Sequence, residues 1–83
     1  MRLLILGGGS GQLSLIKKAK EMGHQVVVAD YYADAPGKKI ADFSSPSSTF
    51  DYEANLKTAT KYNVDGILTA GTFNLGFHFK TPL

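Results

Sequence analysis

Leu3-Leu4-Ile5-Leu6-Gly7-Gly8-Gly9-Ser10-Gly11-Gln12-Leu13 decides how this chain is read. Residues 3–6 form an unbroken apolar run, the pattern of a strand buried on both faces. The glycines stop it abruptly. From Gln12 the period changes, and Leu13, Ile16, Ala19 and Met22 recur on one helical face. Gly23 stands where a helix commonly ends, because it adopts the left-handed conformation without a side-chain clash. Val26-Val27-Val28-Ala29 is a second buried strand, ending at Asp30. Buried strands joined by helices predict a parallel sheet with right-handed crossovers.

Downstream, Asp34-Ala35-Pro36-Gly37 carries strong turn chemistry. Residues 40–43 are consistent with a single turn or a short extended piece. Ser44-Ser45-Pro46-Ser47-Ser48 reads as a polar connecting loop. Asp51 suits a helix N-cap, where its carboxylate accepts unpaired backbone amides. Tyr52, Leu56, Ala59 and Tyr62 would form that helix's apolar face, with Asn63 as a left-handed terminator. Asp65-Gly66 then turns the chain into a third strand, Ile67-Leu68-Thr69-Ala70. Residues 73–83 break the pattern. There Phe73, Phe77 and Phe79 are interleaved with Gly76 and His78, which suits either a short strand or a tail packed on the sheet. The expected architecture is a three-layer, Rossmann-like α/β domain over residues 1–72, with an incomplete parallel sheet of about three to five strands, followed by an atypical tail.

Bulk composition narrows the function classes. The 83 residues amount to one small domain, which at this size buries only roughly 60–65% of its unfolded surface. With no cysteine, disulfides and thiolate metal sites are excluded. The two histidines, His24 and His78, have no ligand-like spacing. The net charge of +2 comes mainly from two lysine groups, Lys17/Lys18/Lys20 and Lys38/Lys39, and Arg2 is the sole arginine. That is not the broad basic stripe of a nucleic-acid-binding surface. The N-terminal apolar run is shorter than the roughly 7–15 residues of a signal peptide, and no stretch approaches the roughly 20 of a membrane span. A cytoplasmic protein bound to neither nucleic acid nor membrane is expected.

Glycines between a buried strand and a helix let the backbone turn tightly and approach a ligand closely. The free amides of the helix start then favour a phosphate or carboxylate. In an open parallel sheet such ligands bind beyond the carboxyl ends of the strands. Gly7, Gly8, Gly9, Ser10, Gly11, Gln12, Leu13, Asp30 and Thr72 all fall at that edge and are the candidate anion-binding residues; a purely structural glycine turn is the alternative. The dinucleotide fingerprint is degraded. Gly7 and Gly9 fit its first two glycines but Gln12 replaces the third, and in the frame of Gly9 and Gly11, Ser14 replaces it. Asp30 lies nineteen residues after Gly11, a spacing suited to a ribose-binding acid, or it simply caps a turn. No Gly-Lys-Ser/Thr follows the glycines, which excludes a Walker phosphate loop. The helix lysines suit a solvated face, and Asp34 suits a turn. Tyr31 and Tyr32 suit either stacking on a ring or covering a core edge. No catalytic triad, paired-carboxylate site or metal-ligand set is present, so no catalytic or metal-binding residue is assigned.

Three segments together resemble the N-terminal domain that precedes the catalytic region of ATP-grasp ligases, in the group of carbamoyl-phosphate synthase large subunit, biotin carboxylase and formate-dependent glycinamide ribonucleotide transformylase. They are residues 4–13, residues 29–37 with Ile40-Ala41-Asp42, and residues 65–72. The resemblance implies a domain that faces the ATP-grasp cleft and helps hold the acceptor substrate, with Gln12 and Leu13 at positions where some members contact it. It implies ATP and magnesium for the full-length parent, held mainly by later domains and not by this chain, so the chain alone is not expected to catalyse ligation. After Thr72 many relatives have an acidic residue and continue into a further helix and strand, whereas Phe73-Asn74-Leu75-Gly76 stands here, a departure that suggests truncation, a frame change or a split gene. The expected partners are a small anionic substrate, a separate ATP-grasp subunit and further copies of the chain, because an incomplete sheet leaves an unpaired edge. Residues 73–79 would lie at that contact. Two other functions fit the same residues: a small NAD(P)- or nucleotide-binding Rossmann protein, and a non-catalytic interaction or regulatory module.

Overall fold

The computed structural model describes residues 1–68. Its elements are β1 (Arg2–Leu6), a 3-10 turn (Ser10–Gln12) running into α1 (Leu13–Glu21), β2 (Gln25–Ala29), a 3-10 turn (Pro36–Lys39), β3 (Phe43–Ser45), α2 (Tyr52–Lys61) and β4 (Gly66–Leu68). The described strands form one parallel sheet in the order β3-β2-β1-β4. β1 and β2 pair in register from Arg2 with Gln25 to Leu6 with Ala29. The chain therefore moves outward from β1 through β2 to β3, then returns to the far side of β1. With right-handed crossovers, that reversal puts the connecting helices on opposite faces.

The core shows the same division. Leu3, Ile5, Val26 and Val28 pack with Ile16 and Ala19 of α1. Leu4, Val27 and Ala29 face the other way and pack with Ala59 of α2 and with Val64. Side chains alternate across a strand, so adjacent residues of one apolar run serve both layers. This is why the strands read as continuous hydrophobic stretches. Each fully buried aliphatic side chain contributes about 1.5–3 kcal/mol, and Leu4, Ile5, Val26, Val27 and Val28 are all at 0% exposure. The expected three-layer parallel fold is the observed one.

Both helices end as the sequence indicates. Gly23 has φ +89, its amide donates to the Lys20 carbonyl, and the His24 amide donates to that of Ala19. This pair of bonds is the Schellman motif. Asn63, at φ +51, repeats it, with its own amide bound to Thr60 and that of Val64 bound to Ala59. The Arg2 guanidinium adds a hydrogen bond to the Tyr62 carbonyl. At the other end of α2, Asp51 Oδ1 accepts the Ala54 amide at 3.0 Å.

Four expectations need correction. Residues 43–45 form β3, so Ser44 and Ser45 belong to a strand rather than a loop, and the strand at residues 66–68 is the fourth. The buried stripe of α2 is Asn55, Thr58 and Ala59, while Tyr52 is 58% exposed. Polar side chains can replace apolar ones there because partners are close. Asn55 Nδ2 donates to the Ser48 carbonyl, and Thr58 Oγ1 reaches the Ala54 carbonyl and Ser45 Oγ. Met22 is 62% exposed and does not extend the buried face of α1. His24 accepts a hydrogen bond at Nδ1 from the Met1 ammonium. The expected strand positions Thr69 and Ala70, the candidate Thr72 and the expected contact segment 73–79 lie outside the described residues.

Candidate functional site

β1 is the point where the strand order reverses. β2 lies on one side of it and β4 on the other, and each is reached by a different crossover. Connections leave such a reversal in opposite directions, which opens a crevice beyond the carboxyl ends of the central strands. The loop after Leu6 stands at that position.

The glycines of this loop do different jobs. Gly7 has φ +95, a conformation that L side chains rarely adopt, and its amide donates to the Ala29 carbonyl at 2.7 Å. Gly8 is buried against the segment after β2. A Cβ there would meet Val28 Cγ1 at 2.8 Å and Ala35 Cβ at 3.2 Å. Its carbonyl accepts the Gly37 amide at 2.6 Å and its amide donates to Asp30 Oδ2 at 2.8 Å. Gly37 is the matching half of this contact: a Cβ on it would lie 2.6 Å from Ile16 Cδ1 and 3.0 Å from Gly8 Cα. Two backbones approach closely here because neither carries a side chain.

Gly9 and Gly11 differ. Neither has a positive φ, and a Cβ on either would meet nothing within 4 Å. Packing and backbone geometry do not demand glycine at these two positions. Gly9, Ser10 and Gly11 are exposed, and their amides donate to no acceptor among the described residues. They precede α1, so the helix dipole adds partial positive charge at the same place. Of the candidate loop, residues 9–11 therefore present themselves to solvent, while Gly7 and Gly8 are engaged internally.

Gln12 folds back so that Nε2 donates to the Leu6 carbonyl at 3.0 Å, over the face of Gly7. Leu13 is the half-buried first residue of α1. Asp30 sits at the end of β2 with one backbone amide on each oxygen, Gly8 on Oδ2 and Tyr32 on Oδ1 at 2.9 Å. It ties the glycine loop to the Tyr31–Tyr32 turn, whose rings are 69% and 65% exposed and pack edge to face at 5.3 Å. Seven of the candidates and Asp30 thus come together at one edge.

Sequence reasoning took Gly37 for turn chemistry and missed its contact with Gly8. The only available signal was the tight Ala-Pro-Gly spelling. Asp42 is likewise structural, since Oδ2 accepts the Val26 amide at 2.8 Å and Oδ1 lies 3.6 Å from Lys20 Nζ. Among the described residues no three His, Asp or Glu side chains gather as a metal site. No described helix is long and apolar enough to cross a membrane.

No protein-family model matches the sequence. The chain is similar to formate-dependent phosphoribosylglycinamide formyltransferase from Trichormus variabilis, with 31% identity over 67 residues, 81% of this chain and 17% of that protein. The same enzyme from Erythrobacter litoralis is 33% identical over the same shares. Among solved structures it is similar to glycinamide-RNase-transformylase T from Mycobacterium tuberculosis, with TM-score 0.75 and 26% identity over 83% of this chain and 20% of that one. Phosphoribosylglycinamide synthetase from Anaerococcus prevotii gives TM-score 0.71 and 36% identity over 82% and 18%. The chain thus spans about a fifth of the length of the proteins it matches.

Proposed function

Because this chain is a homologue of the N-terminal domain of ATP-grasp ligases, we propose that it is the substrate-positioning part of such a ligase, with the row of amides at Gly9, Ser10 and Gly11 taking an anionic group of the acceptor substrate. One observation carries the proposal: two glycines that the fold does not require stand beside three solvent-facing amides at the strand-order reversal. Open space above Gly9 and Gly11 lets a ligand reach the backbone, and unpaired amides supply donors for oxyanion oxygens.

The names of the relatives indicate phosphoribosylglycinamide as the substrate class. Such a molecule carries both a phosphate and an amine. The amide row suits the first. Asp30, with one amide on each carboxylate oxygen, keeps lone pairs that suit the second. The same engagement of both oxygens by the backbone also supports a bracing role for Asp30.

ATP and magnesium do not fit the described residues. There is no cluster of carboxylates for the metal, and no lysine sits in the glycine loop for the phosphates. We infer that activation of a carboxylate falls to the parts of the relatives that this chain does not match, and that the residues of this chain bind and orient. The setting we infer is the cytoplasm, and we propose a partner that supplies the ATP-grasp portion.

The test is calorimetric titration of the chain with glycinamide ribonucleotide and, separately, with NAD. Saturable binding of the ribonucleotide is expected, weakened at least about tenfold, or 1.4 kcal/mol, by Gly9→Leu and by Gly11→Leu at unchanged melting temperature. Saturable NAD binding with no response to the ribonucleotide, or unaltered affinity in both variants, would overturn the proposal.

A further inference from the structure

A second polar site lies away from the glycine loop, in the flank between β3 and α2. A cavity of about 160 Å³ is lined by Ser44, Ser45, Pro46, Lys57, Thr58, Lys61 and Tyr62. Ordinary ligand pockets measure about 300–1,000 Å³, so a nucleotide is too large for it. A water occupies about 30 Å³ of liquid volume, so the space equals roughly five waters, enough for a tetrahedral oxyanion.

The chemistry of the lining is one-sided. Lys57 and Lys61 are four residues apart on α2 and so share a face. Neither has a carboxylate partner among the described residues, where the ion pair observed is Lys20 with Asp42. Lys61 Nζ lies 5.3 Å from the centroid of the Tyr62 ring. Where β3 meets α2, Ser45 of the strand and Thr58 of the helix are 8% and 7% exposed, buried hydroxyls where a close-packed sheet–helix contact would ordinarily hold small apolar side chains.

These hydroxyls form a closed triangle with Ser47. Ser45 Oγ is 2.8 Å from Ser47 Oγ and 2.9 Å from Thr58 Oγ1, and Ser47 Oγ is 3.2 Å from Thr58 Oγ1. Thr58 directs its proton to the Ala54 carbonyl. The two serine protons remain for three sides of the triangle, so one side is always without a proton of its own. The Ser45 hydroxyl, which lines the cavity, can therefore turn to an incoming acceptor at the loss of one of its two hydrogen bonds, while Ser47 still donates to Ser45 or Thr58.

We propose that this flank cavity is a binding site for a phosphate-type oxyanion, either free phosphate or the phosphate of a monoester, held by Lys57 and Lys61 with Ser45 and Thr58 at its wall. It is separate from the amide row of residues 9–11 and does not rest on that reading.

The experiment is an amide-resolved NMR titration of the full chain with sodium phosphate, against sodium chloride at matched ionic strength. Saturable shifts at Ser45, Ser47, Thr58 and Lys61 are expected with phosphate only. The Lys57→Gln/Lys61→Gln variant, altered only at exposed positions, should keep its spectrum and lose at least about tenfold in affinity. A phenyl phosphate titration distinguishes a monoester from the free ion: tighter binding of phenyl phosphate assigns the site to monoesters, weaker binding to the free ion. Shifts that rise linearly without saturation, that chloride reproduces, that persist unchanged in the double variant, or that fall only on residues 9–11 would overturn the proposal.

Discussion

Replacing Gly37 by alanine should damage the fold, whereas replacing Gly9 should not. The added methyl at position 37 would lie 2.6 Å from Ile16 Cδ1 and 3.0 Å from both Gly8 Cα and the Gly8 carbonyl oxygen. Ile16 is fully buried in the α1 core, and Gly8 is held by hydrogen bonds to Asp30 and to Gly37 itself. Neither neighbour can retreat without disturbing another contact. Overpacking of this kind costs about 1–3 kcal/mol, a large share of the roughly 5–15 kcal/mol that holds a small domain together. In a chain of this size each kcal/mol lowers the melting temperature by about 4–8 °C, so a fall of about 4–24 °C is expected. At Gly9 the methyl meets nothing within 4 Å and φ is −68. The same change there should be neutral or stabilising by up to about 1 kcal/mol, through the unfolded chain. Both are read by thermal and urea unfolding followed by circular dichroism. If Gly37→Ala stays within about 0.5 kcal/mol of wild type, the range of ordinary surface changes, or if Gly9→Ala proves the more damaging, the division of this loop into structural and solvent-facing glycines is wrong.

Two further substitutions probe the supports around the site. Asp30→Asn leaves only one acceptor oxygen for the Gly8 and Tyr32 amides, so a loss of about 1–2 kcal/mol is expected, together with faster hydrogen exchange at the Gly8 amide; unchanged exchange there would refute the bracing role. Asn63→Ala puts a residue without a local side-chain hydrogen bond at φ +51 and should cost about 1 kcal/mol, while Asn63→Gly should be neutral or better, as equilibrium urea unfolding of the pair would show.

How much of this was legible beforehand depended on how local the cause was. Residues 3–6 and 26–29 read as buried strands because being buried on both faces leaves no polar alternation. Gly23, Asn63 and Asp51 read as helix ends because a left-handed φ or a cap is decided within a few residues of chain. β3 was hidden. Its three residues, Phe43–Ser45, include two serines, and it becomes a strand only because the backbone of β2 lies beside it with free hydrogen-bonding groups. The buried face of α2 is hidden in a similar way, since Thr58 is buried against Ser45 of β3 and Asn55 against the Ser48 carbonyl of the loop before the helix, and a helical apolar period shows neither.

At the candidate site, the sequence points to the glycine loop, Asp30 and the carboxyl edge of the sheet, because a glycine run between a strand and a helix leaves backbone amides open to a ligand. It could not apportion the glycines. Gly7 is glycine for its dihedral angle, Gly8 for the approach of Gly37, and Gly9 and Gly11 for no reason internal to the fold. Only the positions of Gly37, Ile16 and Val28 in space separate these cases. A local rule sees which residues lack a side chain; what occupies the space where that side chain would be is decided by segments far along the chain.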